Sequence, residues 1–73
     1  MSSHYSMIIQ WSEEDQVFVV SLPEFGDGCK THGSTYEEAA KNGREAMELL
    51  METFRNDGRS LPEPATAAAP LSA

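Results

Sequence analysis

One run of spacing constrains this chain more than any other. Tyr36, Ala40, Gly43, Met47, Leu50 and Phe54 recur at alternating steps of four and three, and Ala39, Ala46 and Met51 widen the stripe. That period predicts one long amphipathic helix. Its opposite side carries Glu37, Lys41, Arg44, Glu45, Glu48, Glu52 and Arg55, the residues of a solvated face. A lone helix cannot bury such a stripe by itself, so the residues before it must supply a cover.

Those residues read as strands. From Tyr5 to Trp11, Tyr5, Met7, Ile9 and Trp11 alternate with Ser6 and Gln10, the period of a half-buried strand, and Ile8 interrupts the polar side. Ser12 to Gln16 is charged and aperiodic, a turn. Val17 to Leu22 is short and rich in β-branched and aromatic residues, with Phe18, Val20 and Leu22 on one face and Val17, Val19 and Ser21 on the other. The two segments predict an antiparallel hairpin. Pro23 ends the second strand, and Phe25-Gly26-Asp27-Gly28 forms a loop. Cys29 to Gly33 predicts a third strand, with Cys29 and Thr31 opposite Lys30 and His32.

The helix ends are also marked. Thr35 with Glu38, or Ser34 with Glu37, forms a capping box, Thr35 being preferred. Asn56-Asp57-Gly58 predicts the stop, with Gly58 in the left-handed conformation. Gly43 in mid-stripe predicts a close approach of helix to sheet, since its helical cost is about 1 kcal/mol against Ala. Ser60 to Pro64 could add a short extended edge segment. The expected fold class is therefore α+β: a small antiparallel sheet of three to four strands with one long helix on one face, in the order β-β-β-α(-β). Residues 1–64 form the expected domain, and the Ala/Pro-rich residues 65–73 are expected to be disordered.

Composition narrows the function. At 73 residues the chain buries a small core, and its one cysteine, Cys29, can form no internal disulfide, so self-association is the expected stabiliser. Twelve acidic residues against five basic give a net charge of −7. Phosphate binding depends on Lys and Arg, so direct nucleic-acid binding is not expected, and a basic protein partner is. The first residues have no basic n-region followed by an apolar h-region, and no apolar run approaches the about 20 residues of a membrane span. The expected location is the cytoplasm, with no membrane partner.

Trp11-Ser12…Asp15…Phe18-Val19-Val20…Leu22-Pro23-Glu24-Phe25…Gly28…Gly33-Ser34-Thr35…Glu37-Glu38-Ala39…Asn42…Glu45-Ala46, with Asp57-Gly58…Leu61-Pro62-Glu63-Pro64, resembles the HicB-like antitoxin family. The resemblance spans Tyr5 to about Pro64. It implies a ββ(β)αβ arrangement of the partial RNase H-like kind and a role in type II toxin–antitoxin systems. In these, a HicB-type protein blocks HicA, a small basic mRNA-cleaving toxin. It further implies homo-oligomers. Many members carry a C-terminal DNA-binding segment, whereas here an Ala/Pro stretch follows Pro64, so operator binding by this chain is not expected.

Catalytic chemistry finds little support. Glu13, Glu14 and Asp15 share one turn, and Glu24 and Asp27 the next loop, so convergence on divalent metal as a nuclease needs is not expected. Cys29 and His32, three apart on a strand, face opposite sides. Gly26-Asp27-Gly28 lacks the Lys and Ser/Thr of a phosphate loop. No catalytic, cofactor or metal residue is assigned, and no cofactor is expected. The partner-binding candidates are Trp11, Glu45, Glu48 and Glu52; the oligomer-interface candidates are Ile8, Val17 and Val19. The expected function is an antitoxin or antitoxin-related binding module that occludes a small basic HicA-like toxin. The alternatives are a nucleic-acid-binding oligomer and a metal-dependent nuclease remnant.

Overall fold

In the computed structural model, residues 4–26 and 28–67 are described. Three strands, β1 (Ile8–Ser12), β2 (Val17–Ser21) and β3 (Lys30–Gly33), precede one helix, α1 (Tyr36–Asn56). The sheet is antiparallel in the order β1-β2-β3, so the α+β fold with a helix after three strands is observed.

Register fixes which residues meet the helix. Ile9 pairs with Val20 and Trp11 with Phe18, while Val20 pairs with Thr31 and Phe18 with Gly33. These positions face α1. The alternate set, Ile8, Gln10, Ser12, Val17, Val19, Ser21, Lys30 and His32, lies on the open face. The core is small: Val20, Leu22, Ala39 and Met47 are buried, with Tyr5, Met7, Ile9, Phe18, Phe25, Leu50 and Met51 packed around them.

Two glycines set the distance between layers. A Cβ on Gly43 would lie 2.9 Å from Val20 Cγ1 and 2.8 Å from Met7 Sδ, so the mid-stripe glycine marks the close approach expected of it. Gly33 is tighter, with a Cβ meeting the backbone of Glu38 and Ala39.

Both helix ends follow the sequence signals. Thr35 is the N-cap, its Oγ1 accepting from the Glu38 amide at 3.0 Å, while Glu38 Oε1 accepts from the Ser34 amide at 2.6 Å. At the other end Gly58 has φ 69°, its amide donates to the Arg55 carbonyl, and the Arg59 amide donates to the Phe54 carbonyl. This paired return is a Schellman motif. Arg59 closes it by stacking over the Phe54 ring at 4.1 Å.

Several boundaries differ from the sequence expectation. β1 starts at Ile8, not Tyr5, because β2 ends at Ser21 and leaves residues 5–7 no ladder partner. Ser12 belongs to β1, pairing with Val17, and the turn begins after it; Gln16 closes that turn at φ 55°. Leu22, expected to end the second strand, follows β2 and caps a 3-10 turn, Pro23–Phe25, that precedes the rest of the expected loop. Residues 60–64 form no strand: Pro62 and Pro64 lack the donors of a ladder, and the segment is held by side chains instead. Tyr36, read as core, is 62 % exposed. It opens the helix at the sheet's margin, where its ring lies over Phe18 with centroids 4.2 Å apart.

Candidate protein-interaction surface

The loop after β2 does something that single residue types did not reveal. Pro23 starts the 3-10 turn that presents Glu24 to two distant stretches of backbone. The Ser6 amide donates to both carboxylate oxygens at 3.0 Å, and the Ala65 amide donates to Oε2 at 2.9 Å. Tyr5 Oη donates to the Pro62 carbonyl at 2.7 Å, and Ser6 Oγ to the Ala65 carbonyl at 3.2 Å. Partial burial opposes ionisation of Glu24, but the donors from Ala65 and Ser6 outweigh it and hold its carboxyl below the ordinary value. Glu24 thus clasps residues 5–6 to residues 62–65. Asp27 and residues 68–73, which include most of the expected tail, lie outside the described residues.

That occupation bears on metal chemistry. Both oxygens of Glu24 already accept backbone donors, and Glu13, Glu14 and Asp15 sit in the hairpin turn. Among the described residues no three His, Cys, Asp or Glu side chains group as a metal ion requires. Cys29 packs against the core and its Sγ donates to the Phe25 carbonyl, whereas His32 pairs across from Val19 on the open face. Among the described residues no helix is long and apolar enough to cross a membrane.

The candidate binding residues fall in three places. Trp11, 45 % exposed, joins an aromatic row: its ring meets Phe18 edge-on at 5.1 Å, and Phe18 meets Tyr36. Glu45, Glu48 and Glu52 are exposed on the later turns of α1. At about 1.5 Å per residue, Glu48 lies roughly 18 Å along the helix from Tyr36, so Trp11 and the glutamates form no single patch. The glutamates also divide. Steps of about 100° per residue set Glu48 on the flank of Arg44 and Arg55, Glu52 at the outward middle of the helix, and Glu45 nearer Asn42's flank. Asn42 Nδ2 donates to the His32 carbonyl at 2.7 Å, which identifies that flank as the β3 side.

Ile8, Val17 and Val19 share the open face of the sheet, Ile8 at 45 % exposure and the valines half-buried. β1, β2 and β3 contain no carboxylate, so the negative charge sits on the helix, the hairpin turn and the loops. Sequence reasoning missed Leu49. It is 65 % exposed on the β3 flank of α1, between Glu45 and Glu52. The signal was the Leu49-Leu50 pair, since only one of two adjacent helical residues can point into the core.

With this geometry in view, comparison with known proteins gives a consistent answer. A family model described as "HicB_like antitoxin of bacterial toxin-antitoxin system" matches residues 5–72. The UPF0150 protein Ta0767 of Thermoplasma acidophilum is 34 % identical over 58 residues, covering 80 % of this chain and 81 % of that protein. No solved structure matches. A three-stranded sheet with one helix, matched over almost its whole length, makes this chain a member of the HicB-like antitoxin family of bacterial toxin–antitoxin systems.

Proposed function

We propose that the chain is an antitoxin module that neutralises a small basic mRNA-cleaving toxin of the HicA type by occlusion. The observation that carries this is the distribution of charge: a net charge of −7 whose carboxylates lie on the helix, the hairpin turn and the loops while the strands hold none. Opposite potentials speed encounter and select the partner. Glu45, Glu52 and Glu48 supply that potential, and Trp11 offers a second, aromatic contact at the far end of α1. The chain makes and breaks no bond; it covers the surface that would meet RNA. It works in the cytoplasm, where mRNA is found and the Cys29 thiol stays reduced.

Copies associate through the open sheet face, with Ile8, Val17 and Val19 at the contact. That face alone carries no carboxylate, so two chains can meet there without opposing their net charges. Co-expression with a HicA-type toxin tests the main reading: growth is expected to be restored and a complex recovered whose affinity falls as salt rises. Continued growth arrest with no complex at low salt overturns it. Sedimentation of wild type against Val19→Lys tests the self-contact, the variant being expected to run as the smaller species.

A further inference from the structure

Between α1 and the start of β3 the described chain leaves an open groove of about 260 Å³, lined by Leu22, Cys29, Lys30, Ala46, Leu49 and Leu50. Leu22 is its floor at 1 % exposure, and Leu49 stands on its rim. We propose that this groove anchors a protein partner, taking one large apolar side chain from a segment whose flanking positions are Lys or Arg. This rests on the antitoxin reading and names the place where the partner is gripped.

Size and charge select that occupant. Small-molecule sites span about 300–1,000 Å³ and enclose most of their ligand. This groove is smaller and open, the shape for a single inserted side chain. Leu49 has Glu45 at i−4 and Glu52 at i+3, both neighbours on the helix surface. Of the helix cations, Arg44 and Arg55 project from the other flank at about 100° per residue, while Lys41, at i−4 from Glu45, lies on the outward face beyond the two carboxylates and farther from Leu49. An apolar centre beside two carboxylates matches an apolar side chain carried between cations, with Lys30 the one cation among the lining residues, on the sheet side.

Strand addition at β3 is a poor alternative. The Leu22 amide donates to the Cys29 carbonyl, and antiparallel pairs alternate, so the polar backbone groups of Lys30 and His32 face the free edge. There Asn42 already occupies the His32 carbonyl, the strand is four residues long, and Lys30 charges it. These are the devices by which an edge resists pairing. A second copy fits no better. Among the described residues the exposed large apolar side chains are Ile8, Trp11, Tyr36, Leu49 and Leu61, and none has basic residues on both sides in sequence.

The test measures binding of a HicA-type toxin by calorimetry to wild type, Leu49→Lys and the double variant Glu45→Lys/Glu52→Lys, each checked for helix content by circular dichroism. Both variants are expected to lose roughly tenfold or more in affinity, as for a central hot-spot residue. Wild-type binding with both variants within twofold of it overturns the groove and leaves the antitoxin reading standing. No binding by wild type overturns the antitoxin reading, and a second arm then decides the groove. A peptide Lys-Arg-Leu-Phe-Lys-Arg is titrated into the ¹⁵N-labelled chain. Amide shifts centred on Cys29, Ala46, Leu49 and Leu50 and lost in Leu49→Lys uphold it; shifts elsewhere or none overturn it. Dissociation of an oligomer by Leu49→Lys in sedimentation assigns the groove to a second copy and also overturns the proposal.

Discussion

Gly33→Ala is the sharpest probe of how the helix sits on the sheet. The added Cβ would lie 2.7 Å from Ala39 Cα and 2.8 Å from the Glu38 carbonyl carbon. Both are backbone atoms in the first turn of α1, so no side chain can rotate away, and the helix start must lift by about an ångström. Overpacking costs about 1–3 kcal/mol, and a contact with rigid backbone belongs at the top of that range. Gly43→Ala meets Met7 Sδ, the end of a flexible side chain, and Val20 Cγ1. It also gains helix propensity of about 1 kcal/mol, so its net cost is on the order of 1 kcal/mol. A chain of this length has about 4–11 kcal/mol of stability in all. Gly33→Ala therefore removes about 3 kcal/mol, and the midpoint of a thermal melt falls by about 12–24 °C. Urea titration followed by circular dichroism reads both variants. A Gly33→Ala chain within 0.5 kcal/mol of wild type (about a factor of two in the unfolding constant), or more stable than Gly43→Ala, refutes the argument.

Thr35→Ala removes the side-chain acceptor of the Glu38 amide and is expected to cost about 1 kcal/mol in urea unfolding, with Thr35→Ser close to wild type. Met47→Ala empties a buried site and is expected to cost about 2–5 kcal/mol, enough to populate unfolded chains in a thermal melt. The Glu24 carboxyl titrates lower in the folded state than in the unfolded one, so the clasp contributes fully above the unfolded value, about pH 4.3. That contribution is lost as pH falls through the folded value. Amide resonances of Ser6 and Ala65 are expected to move together in that window, and Glu24→Gln abolishes the shared transition.

The sequence carried the elements whose signals are local and repeated. The helix span, its Thr35 cap, its Gly58 stop and the two-sided character of Val17–Ser21 follow from period and capping chemistry. What escaped depends on partners distant in sequence. Gly33 reads as a weak strand residue, and only the passage of Glu38 and Ala39 above it requires a glycine. Glu24 reads as a solvated loop carboxylate, and its role needs residues 41 positions away. Tyr36 fits the stripe by spacing, yet the sheet ends beneath it, leaving Phe18 as its support. Leu49 was hidden by its neighbour, because a stripe finds the residues that face inward and is silent about an apolar residue that faces out.

The run Leu22-Pro23-Glu24-Phe25, so prominent in the family resemblance, is mainly architecture. Leu22 is buried, Pro23 sets the turn, Glu24 clasps two backbone segments, and the Phe25 ring meets Tyr5 at 4.8 Å and Phe54 at 5.6 Å. Asn42 likewise ties α1 to β3. Leu22, Pro23, Glu24, Phe25 and Asn42 thus build the frame, whereas Leu49 and Glu52 are exposed and hold no part of it together. Stability and recognition are then separable by mutation. Met47→Ala, at a buried site outside the groove, is expected to weaken toxin binding through unfolding alone, so that the lost affinity returns on cooling to the temperature where the variant folds. Glu52→Lys leaves the melt unchanged and weakens binding at every temperature, most at low salt. The opposite pattern, a folded Met47→Ala chain that still fails to bind beside a Glu52→Lys chain that binds normally, would overturn the assignment of recognition to the helix flank.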